Sequence, residues 1–538
     1  MADVAGPSVK GGNPLAGDPH RWPGRMARLL PDLGLVLAFH ICLRLLFHVG
    51  FVLPEAAYHK PILFSQLVVL KPLLLLAWLV PTGFLFLNWR HLQWSRLELG
   101  PQLRVPVIAI AAILAWTFST YGYNPYYGYS HAIDRAVLVL LALGTWKHPA
   151  FTPVFVLQTL VIIGQLRYPL EELDWTDKIL AIDHLILFSA FLLVLRLGSG
   201  LRGMDYVFLA CCLQISGYFW PGVGKVAMGW LGLNELFVLI GHTYTRGWLC
   251  FVDEPAIAGI GKLLRTLNTT ALWTTVLVEL SGVLFFLHRR FAYGVISAWI
   301  GLHLAIFASS GILFWKWIVV DVALGLLLLR LHRSEHHRLF GLRPWSVSVL
   351  LVSFAPLYFQ PIMLVWFDTR YDVSYHLEAV GESGTIYQVE PAFMAPYDIL
   401  FNQTRFWFLS PERFLVRDYG ATNDRDVFAA IRDAGRWEGF RQLEAAEGAY
   451  RYDAGRANRF DHFMRTFFAD LNEHRSRWLT VNFVAPPLHI SSCRRNPYEM
   501  QEKVVSVRVR IVRTYYDGEK LDRFDDRIIR EVRVLDAR

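Results

Sequence analysis

Apolar residues run almost without interruption in stretches of about 18 or more, the length a helix needs to cross a bilayer. These stretches recur from about residue 28 to about residue 365. Crossing segments are expected near 28–53, 62–88, 105–122, 134–146, 150–166, 178–196, 204–220, 269–287, 292–309, 312–330 and 344–365. Beyond residue 366 the pattern shifts to short apolar runs among Arg, Asp and Glu. Val373–Ala379, Leu479–Val484 and Val504–Val512 alternate as strands do, whereas Asp424–Asp433 and Asp461–Leu471 carry helical spacing. The pattern thus predicts an α-helical polytopic membrane domain of about eleven spans over residues 28–365, followed by a soluble α+β domain over 366–538. Residues 1–27 are polar, basic and rich in Gly and Pro, and lack the apolar core of a signal peptide. They read as a disordered cytosolic tail.

Charge then orients the spans. With the N-terminus in the cytosol, Arg90, Arg96, Arg104, Lys147, Arg196, Arg202, Arg289, Arg290, Arg330, Arg333, Arg338 and Arg343 all fall on the inner side. That is the side where basic residues are enriched. The acidic run Glu171–Glu172–Asp174–Asp177 and the mixed segment 221–268 fall outside, and so does the C-terminal domain, in a periplasmic, extracellular or lumenal space. The segment 221–268, with Trp230, Leu233, Leu236 and Trp248, is neither a clean span nor a plain loop. It is expected to form re-entrant or interfacial helices and to wall a cavity.

Composition narrows the picture further. Of the 538 residues 54% are hydrophobic and 18% charged, against about 25% charged in an ordinary soluble protein. The net charge of +8 lies largely in loops beside apolar segments, and no basic tract or finger spacing points to nucleic acid. The five cysteines, Cys42, Cys211, Cys212, Cys250 and Cys493, include no CxxC pair, so no metal centre is expected. They read as buried small residues, with a Cys250–Cys493 contact outside the membrane as the alternative.

Ionisable groups within spans are costly and mark function or internal pairing. His40, Arg44 and His48 share one helix face at i, i+4 and i+8, and Lys71 is expected at similar depth. Together they suggest a cationic pocket for an anionic or electron-rich ligand; a lipid-headgroup contact, or pairing with Glu279 or Asp321, is the plainer reading. A second set gathers toward the outer leaflet: His131, Asp183, His184, Lys225 and His303. A lone histidine at a span end often only satisfies a carbonyl, and Lys225 could snorkel to the interface. A lysine among apolar neighbours can also lose its charge and act as a general base.

Tyr218–Trp230 (YFWPGVGKVAMGW), with Gly232 and Gly247–Trp248 downstream, resembles the central signature of the HTTM family, whose relatives include the vitamin K-dependent gamma-carboxylase. Trp273–Arg290 and Gly301–Asp321 look like the later helices of that family, and Tyr129–Leu140 is similar to a carboxylase segment carrying a functional histidine. The resemblance implies a membrane enzyme that deprotonates a reduced quinone, of the vitamin K hydroquinone or menaquinol kind. Reaction with O2 forms an epoxide and a strong base, which removes a glutamyl proton so that CO2 adds to a protein or peptide. Lys225 matches the lysine base, and His131 and His303 match supporting histidines. Arg44, His40, His48, Lys71, Trp230 and Glu279 are the expected quinol-binding groups. The C-terminal region is shorter than the lumenal region of the carboxylase, which leaves the substrate open. A non-catalytic scaffold or maturation factor that binds a client through its outer domain is the rival reading. A transporter is a third, without an inverted repeat to support it.

Overall fold

The computed structural model describes residues 22–50, 52–120, 124–168, 170, 178–403, 405–474 and 485–535. The expected strand Leu479–Val484 and the acidic run at 171–177 lie outside these residues, as does the side chain of His48.

Each expected span overlaps a helix, although 344–365 is helical only to about residue 357. The N-terminal half comprises α1 (Trp22–Gly50), α2 (Glu55–Tyr58), α3 (Leu63–Leu70), α4 (Pro72–Leu87), α5 (Gly100–Ser119), α6 (Ala132–Lys147), α7 (Thr152–Gly164), α8 (Ile179–Arg196) and α9 (Gly203–Ala227). Three short helices follow: α10 (Trp230–Leu233), α11 (Leu239–Thr245) and α12 (Glu254–Thr266). The bundle ends with α13 (Asn268–Leu280), α14 (Arg289–Ser310), α15 (Trp315–Leu329), α16 (Arg333–Leu339) and α17 (Leu342–Ser353). Among the described residues, five helices are long and apolar enough to cross a membrane, or six if α3 and α4 count as one broken span. The expectation of eleven exceeds this by five: α6, α13, α15 and α17 are shorter than 18 residues, and α1 is not among the helices that meet the criterion within the described residues.

The expected span 62–88 is bent by 105° between α3 and α4. Pro72 follows Lys71, whose backbone sits at φ −134°, ψ 47°, outside the helical region. A proline ring disfavours helical geometry in the residue before it, so the Lys-Pro pair breaks the helix. At the centre, α8 buries every residue from Ile179 to Val194, as a helix apolar on all faces must.

One end of the bundle collects the basic segments. Arg196 donates to Asn88 Oδ1 at 3.0 Å, Arg338 pairs with Glu98 at 3.7 Å, and Gly341 N donates to Phe286 O at 2.8 Å. At the opposite end sits the C-terminal domain, a four-stranded antiparallel sheet in the order β3-β2-β7-β8. Its strands are β2 (Tyr371–Gly381), β3 (Ile386–Gln388), β7 (Val504–Tyr516) and β8 (Leu521–Arg533); the short strands β1 (Phe367–Asp368), β4 (Arg413–Phe414), β5 (Ala421–Thr422) and β6 (Ala449–Tyr450) pair outside it. The helices α18 (Asp398–Gln403), α19 (Arg425–Ala434), α20 (Trp437–Glu447) and α21 (Ala454–Glu473) complete the α+β unit. Phe460, Phe463, Phe467 and Phe468 of α21 are fully buried beneath the sheet.

The segment 221–268 continues α9 and then turns into the short helices α10–α12, which dock on this domain. Buried Arg246 forms an ion pair with Asp372, its Nη2 donating to Oδ1 at 3.0 Å and to Val373 O at 3.0 Å. Asn234 donates to Asp368 at 2.7 Å, and His242 Nε2 meets Thr369 O at 2.7 Å. Buried polar side chains need such partners. Cys250 and Cys493 form a disulfide across 243 residues, and Ser491 N and Leu313 N bond across the same seam to Gly311 O and His489 O.

Candidate functional site

α9 organises the polar interior of the bundle. Gln214, Tyr218 and Lys225 stand at i, i+4 and i+11, so a single helix face carries all three. Lys225, 8% exposed, places Nζ 2.5 Å from Glu279 Oε1 on α13, and Glu279 is 7% exposed. The Trp230 ring lies 5.5 Å from the ammonium, its indole N–H donating to Trp366 O at 2.9 Å. Gly222 allows this approach: a Cβ there would meet the Glu279 Cβ at 3.0 Å and Leu280 at 3.1 Å. Glu279 Oε2 is buried without a hydrogen-bond partner among the described residues. Near this pair, Asp368 accepts from Asn234 and Trp366. Burial pushes its carboxyl up to about 6, while those two donors pull it down.

Two turns earlier on α9, Tyr218 donates to Asp321 Oδ2 at 2.6 Å and its oxygen lies 2.8 Å from His303 Nε2. Gln214 donates to Asp321 Oδ1 at 2.6 Å, and its carbonyl faces His184 Nε2 at 2.9 Å. Trp299 stacks parallel on the Tyr218 ring at 4.2 Å, and Trp317 meets it edge-on at 5.6 Å. Phe314 packs on His303 at 5.1 Å and on His489 at 5.0 Å, so one ring links His303 to His489. His489 in turn lines a cavity of about 410 Å³ between the bundle and the outer domain. Its walls include Phe118, Lys178, Lys316, Phe393 and Tyr397. No residue of 221–268 lines that cavity, but Thr245 lines a second one of about 370 Å³ with His376, Glu378 and Arg510 of the outer domain; Trp230 packs against the outer domain and α13.

The expected cationic face resolves into separate roles. Arg44 pairs with Asp183 at 3.3 Å and donates to Phe359 O, which ends α17's trailing turn. Its charge is therefore matched by Asp183, not by Glu279 or Asp321. His40 is fully buried against the Phe359 ring at 5.7 Å, and neither ring nitrogen has a partner among the described residues. Lys71 sits half-buried at the α3–α4 break, where the Lys-Pro kink removes it from a continuous span. His131 caps α6 with φ 48° and places Nε2 2.9 Å from Tyr58 O, beside Tyr127 and Tyr129. No hydrogen bond or ring contact among the described residues joins it to Lys225 or His303. Among the described residues, no group of three or more His, Cys, Asp or Glu side chains is placed to hold a metal ion.

Gln214 and the pairing of Tyr218 with Asp321 were not singled out from the sequence, although their i, i+4 spacing ahead of Lys225 was available. No protein-family model matches the chain, and comparison with curated proteins and with solved structures returns no match.

Proposed function

We propose that this chain is a multi-pass membrane enzyme with chemistry like that of the vitamin K-dependent gamma-carboxylase, in which Lys225 deprotonates a lipid-soluble quinol. The observation that carries this reading is the buried Lys225–Glu279 pair, closed over by Trp230. A carboxylate 2.5 Å from the ammonium can take its proton. Passing that proton across the pair leaves its net charge at zero, so Lys225 reaches its basic form without a charge being added to a dry site. A general base must lie within hydrogen-bond reach of the proton it removes. Gly222 and Gly224 let Glu279 and Leu280, and Val365 and Met363, pack directly on the backbone beside Lys225. Reaction with O2 and a shielded strong base would then serve carboxylation of a protein or peptide with CO2, since such a base survives only away from bulk water.

Two features support an orientation with the N-terminus inside. The basic helix ends share one end of the bundle, as a cytosolic face would. The disulfide lies at the opposite end, as expected of an oxidising periplasmic, extracellular or lumenal space. In this reading the N-terminus is cytoplasmic and the C-terminal domain external, with membrane lipid around the bundle.

The test is quinol consumption under oxygen by the purified full chain in lipid nanodiscs. Wild type is expected to turn over and Lys225→Ala to lose at least a hundredfold of the rate, on the order of a general base's contribution. Equal turnover in both would remove Lys225 from the mechanism. The second reading, a scaffold for a client protein, is favoured by one observation, the tight docking of α10–α12 on the outer domain through Arg246–Asp372. It predicts client retention without quinol turnover, unchanged in Lys225→Ala.

A further inference from the structure

Of the five helices long and apolar enough to cross a membrane, α14 is the least buried within the bundle, so most of its surface faces whatever surrounds the protein. α14 and α15 are joined by residues 311–314 and pack side by side. Gly325 of α15 lies against Ile296 of α14, where a Cβ on the glycine would sit 3.6 Å from the isoleucine. From that contact Arg330 stands five residues further along α15, and Arg290 six residues back along α14. At about 1.5 Å per residue, both lie roughly 8 Å away toward the same end. Arg290 and Arg330 therefore share one level, flanked by Arg289 and Arg333, and all four are exposed. The chain beyond them returns to the same place: Gly341 N donates to Phe286 O at 2.8 Å and the Trp345 indole to Val283 O at 2.8 Å.

These cations are not neutralised from within the protein. Glu335 accepts from His332 N at 2.6 Å, and Glu98 pairs with Arg338 at 3.7 Å. Among the described residues no ion pair engages Arg289, Arg290, Arg330 or Arg333. Directly beside them stand exposed apolar side chains, Phe291 at 49% and Leu329 at 62%, with Leu326 on the same helix end. A soluble anion leaves those apolar groups in water, and a purely apolar ligand leaves the guanidinium groups unmatched. A phospholipid with an anionic headgroup satisfies both. We propose that Arg289, Arg290, Arg330 and Arg333 form a headgroup site for phospholipids of net negative charge, with Phe291, Leu326 and Leu329 against the first part of the acyl chains. Guanidinium groups pair with phosphate oxygens through two parallel hydrogen bonds, and basic residues beside a span draw acidic lipids to it. The site rests on the bundle's lying in a bilayer and is independent of the chemistry proposed for Lys225.

The test places the full chain in nanodiscs of a phosphatidylcholine and a phosphatidylglycerol with identical acyl chains in equal amounts. Lipids that stay with the protein on extraction into detergent are identified by native mass spectrometry. Wild type should retain phosphatidylglycerol in preference, and the preference should vanish in about 1 M salt, where charges are screened within about 3 Å. Arg290→Gln combined with Arg330→Gln should lower it roughly tenfold, the scale of two basic residues at a membrane surface. If that pair fails to reconstitute, each single substitution should lower it several-fold. Arg436→Gln combined with Arg441→Gln, which removes the same charge from exposed positions of the outer domain, should leave it unchanged. Glycerophosphoglycerol, the headgroup without its chains, should not displace the retained lipid at millimolar concentration. Equal retention of the two lipids by wild type overturns the proposal, and so does a preference unmoved by the substitutions at Arg290 and Arg330. A preference lowered as much by the outer-domain pair would reduce it to net charge and overturn the site. Displacement by the free headgroup would show that a soluble anion suffices, and would overturn the lipid as its occupant.

Discussion

Buried charge is handled differently in the helical bundle and in the outer domain. In the bundle, Arg44 pairs with Asp183 and Lys225 with Glu279, one carboxylate to each buried cation. In the outer domain Arg513 contacts Glu412, Glu444 and Asp525, while Arg510 contacts Glu378 and Asp526. An isolated pair in an apolar interior has no substitute, because removing one partner strands the other charge where water does not reach. A network redistributes, since a second carboxylate already faces the same guanidinium. The contrast explains why a handful of bundle residues can define a site while many charged residues of the outer domain cannot.

The largest effect expected from this contrast is at Lys225. Lys225→Ala should destabilise the chain by about 3–5 kcal/mol, since it leaves the Glu279 carboxylate buried alone. Lys225→Met combined with Glu279→Leu should recover most of that loss in denaturant unfolding of the detergent-solubilised protein. A double variant as unstable as the two single losses added together would mean the pair is not coupled.

A smaller effect concerns His376 on β2, which accepts from Arg494 at 3.1 Å and lies by Ser374. Burial, then Arg494, Arg246, Arg523 and Arg510, hold this imidazole well below its ordinary value. The unfolded chain therefore binds a proton more readily than the folded one once pH falls below about 6.5. Stability should be full above that pH and fall by at most about 1.4 kcal/mol per unit below it. His376→Gln should flatten the acid side of the stability profile, measured by thermal unfolding between pH 4 and 8; an unchanged slope would place the acid sensitivity elsewhere. The smallest effect belongs to the network itself: Glu412→Ala should cost no more than about 1 kcal/mol, because Glu444 and Asp525 remain on Arg513. A loss matching that at Lys225 would erase the comparison.

Much of the bundle was legible because its apolar runs are long and its basic loops fall in register, and the division at residue 366 follows from the same change of pattern. The break at Lys71–Pro72 was equally present in the sequence, as a proline in an apolar run, but hydropathy alone joins the two halves. β8 was missed because Leu521–Arg533 is an edge strand whose charged residues hide its alternation. The pairs were harder. Lys225 and Glu279 stand out individually as charges in apolar helices, yet their contact depends on how α9 packs on α13 at Gly222. Arg44 was expected among cations, and its match to Asp183 depends on α1 lying against α8. Cys250 and Cys493 are separated by 243 residues, a distance at which spacing carries no information about contact.

The most direct test of the central claim is whether an oxygen atom from isotopically labelled O2 enters the quinone of the full chain in nanodiscs supplied with reduced menaquinone. The account predicts labelled epoxide from wild type and none above background from Lys225→Ala. Labelled epoxide from both proteins at the same rate would contradict it, and would move the chemistry away from the Lys225–Glu279 pair.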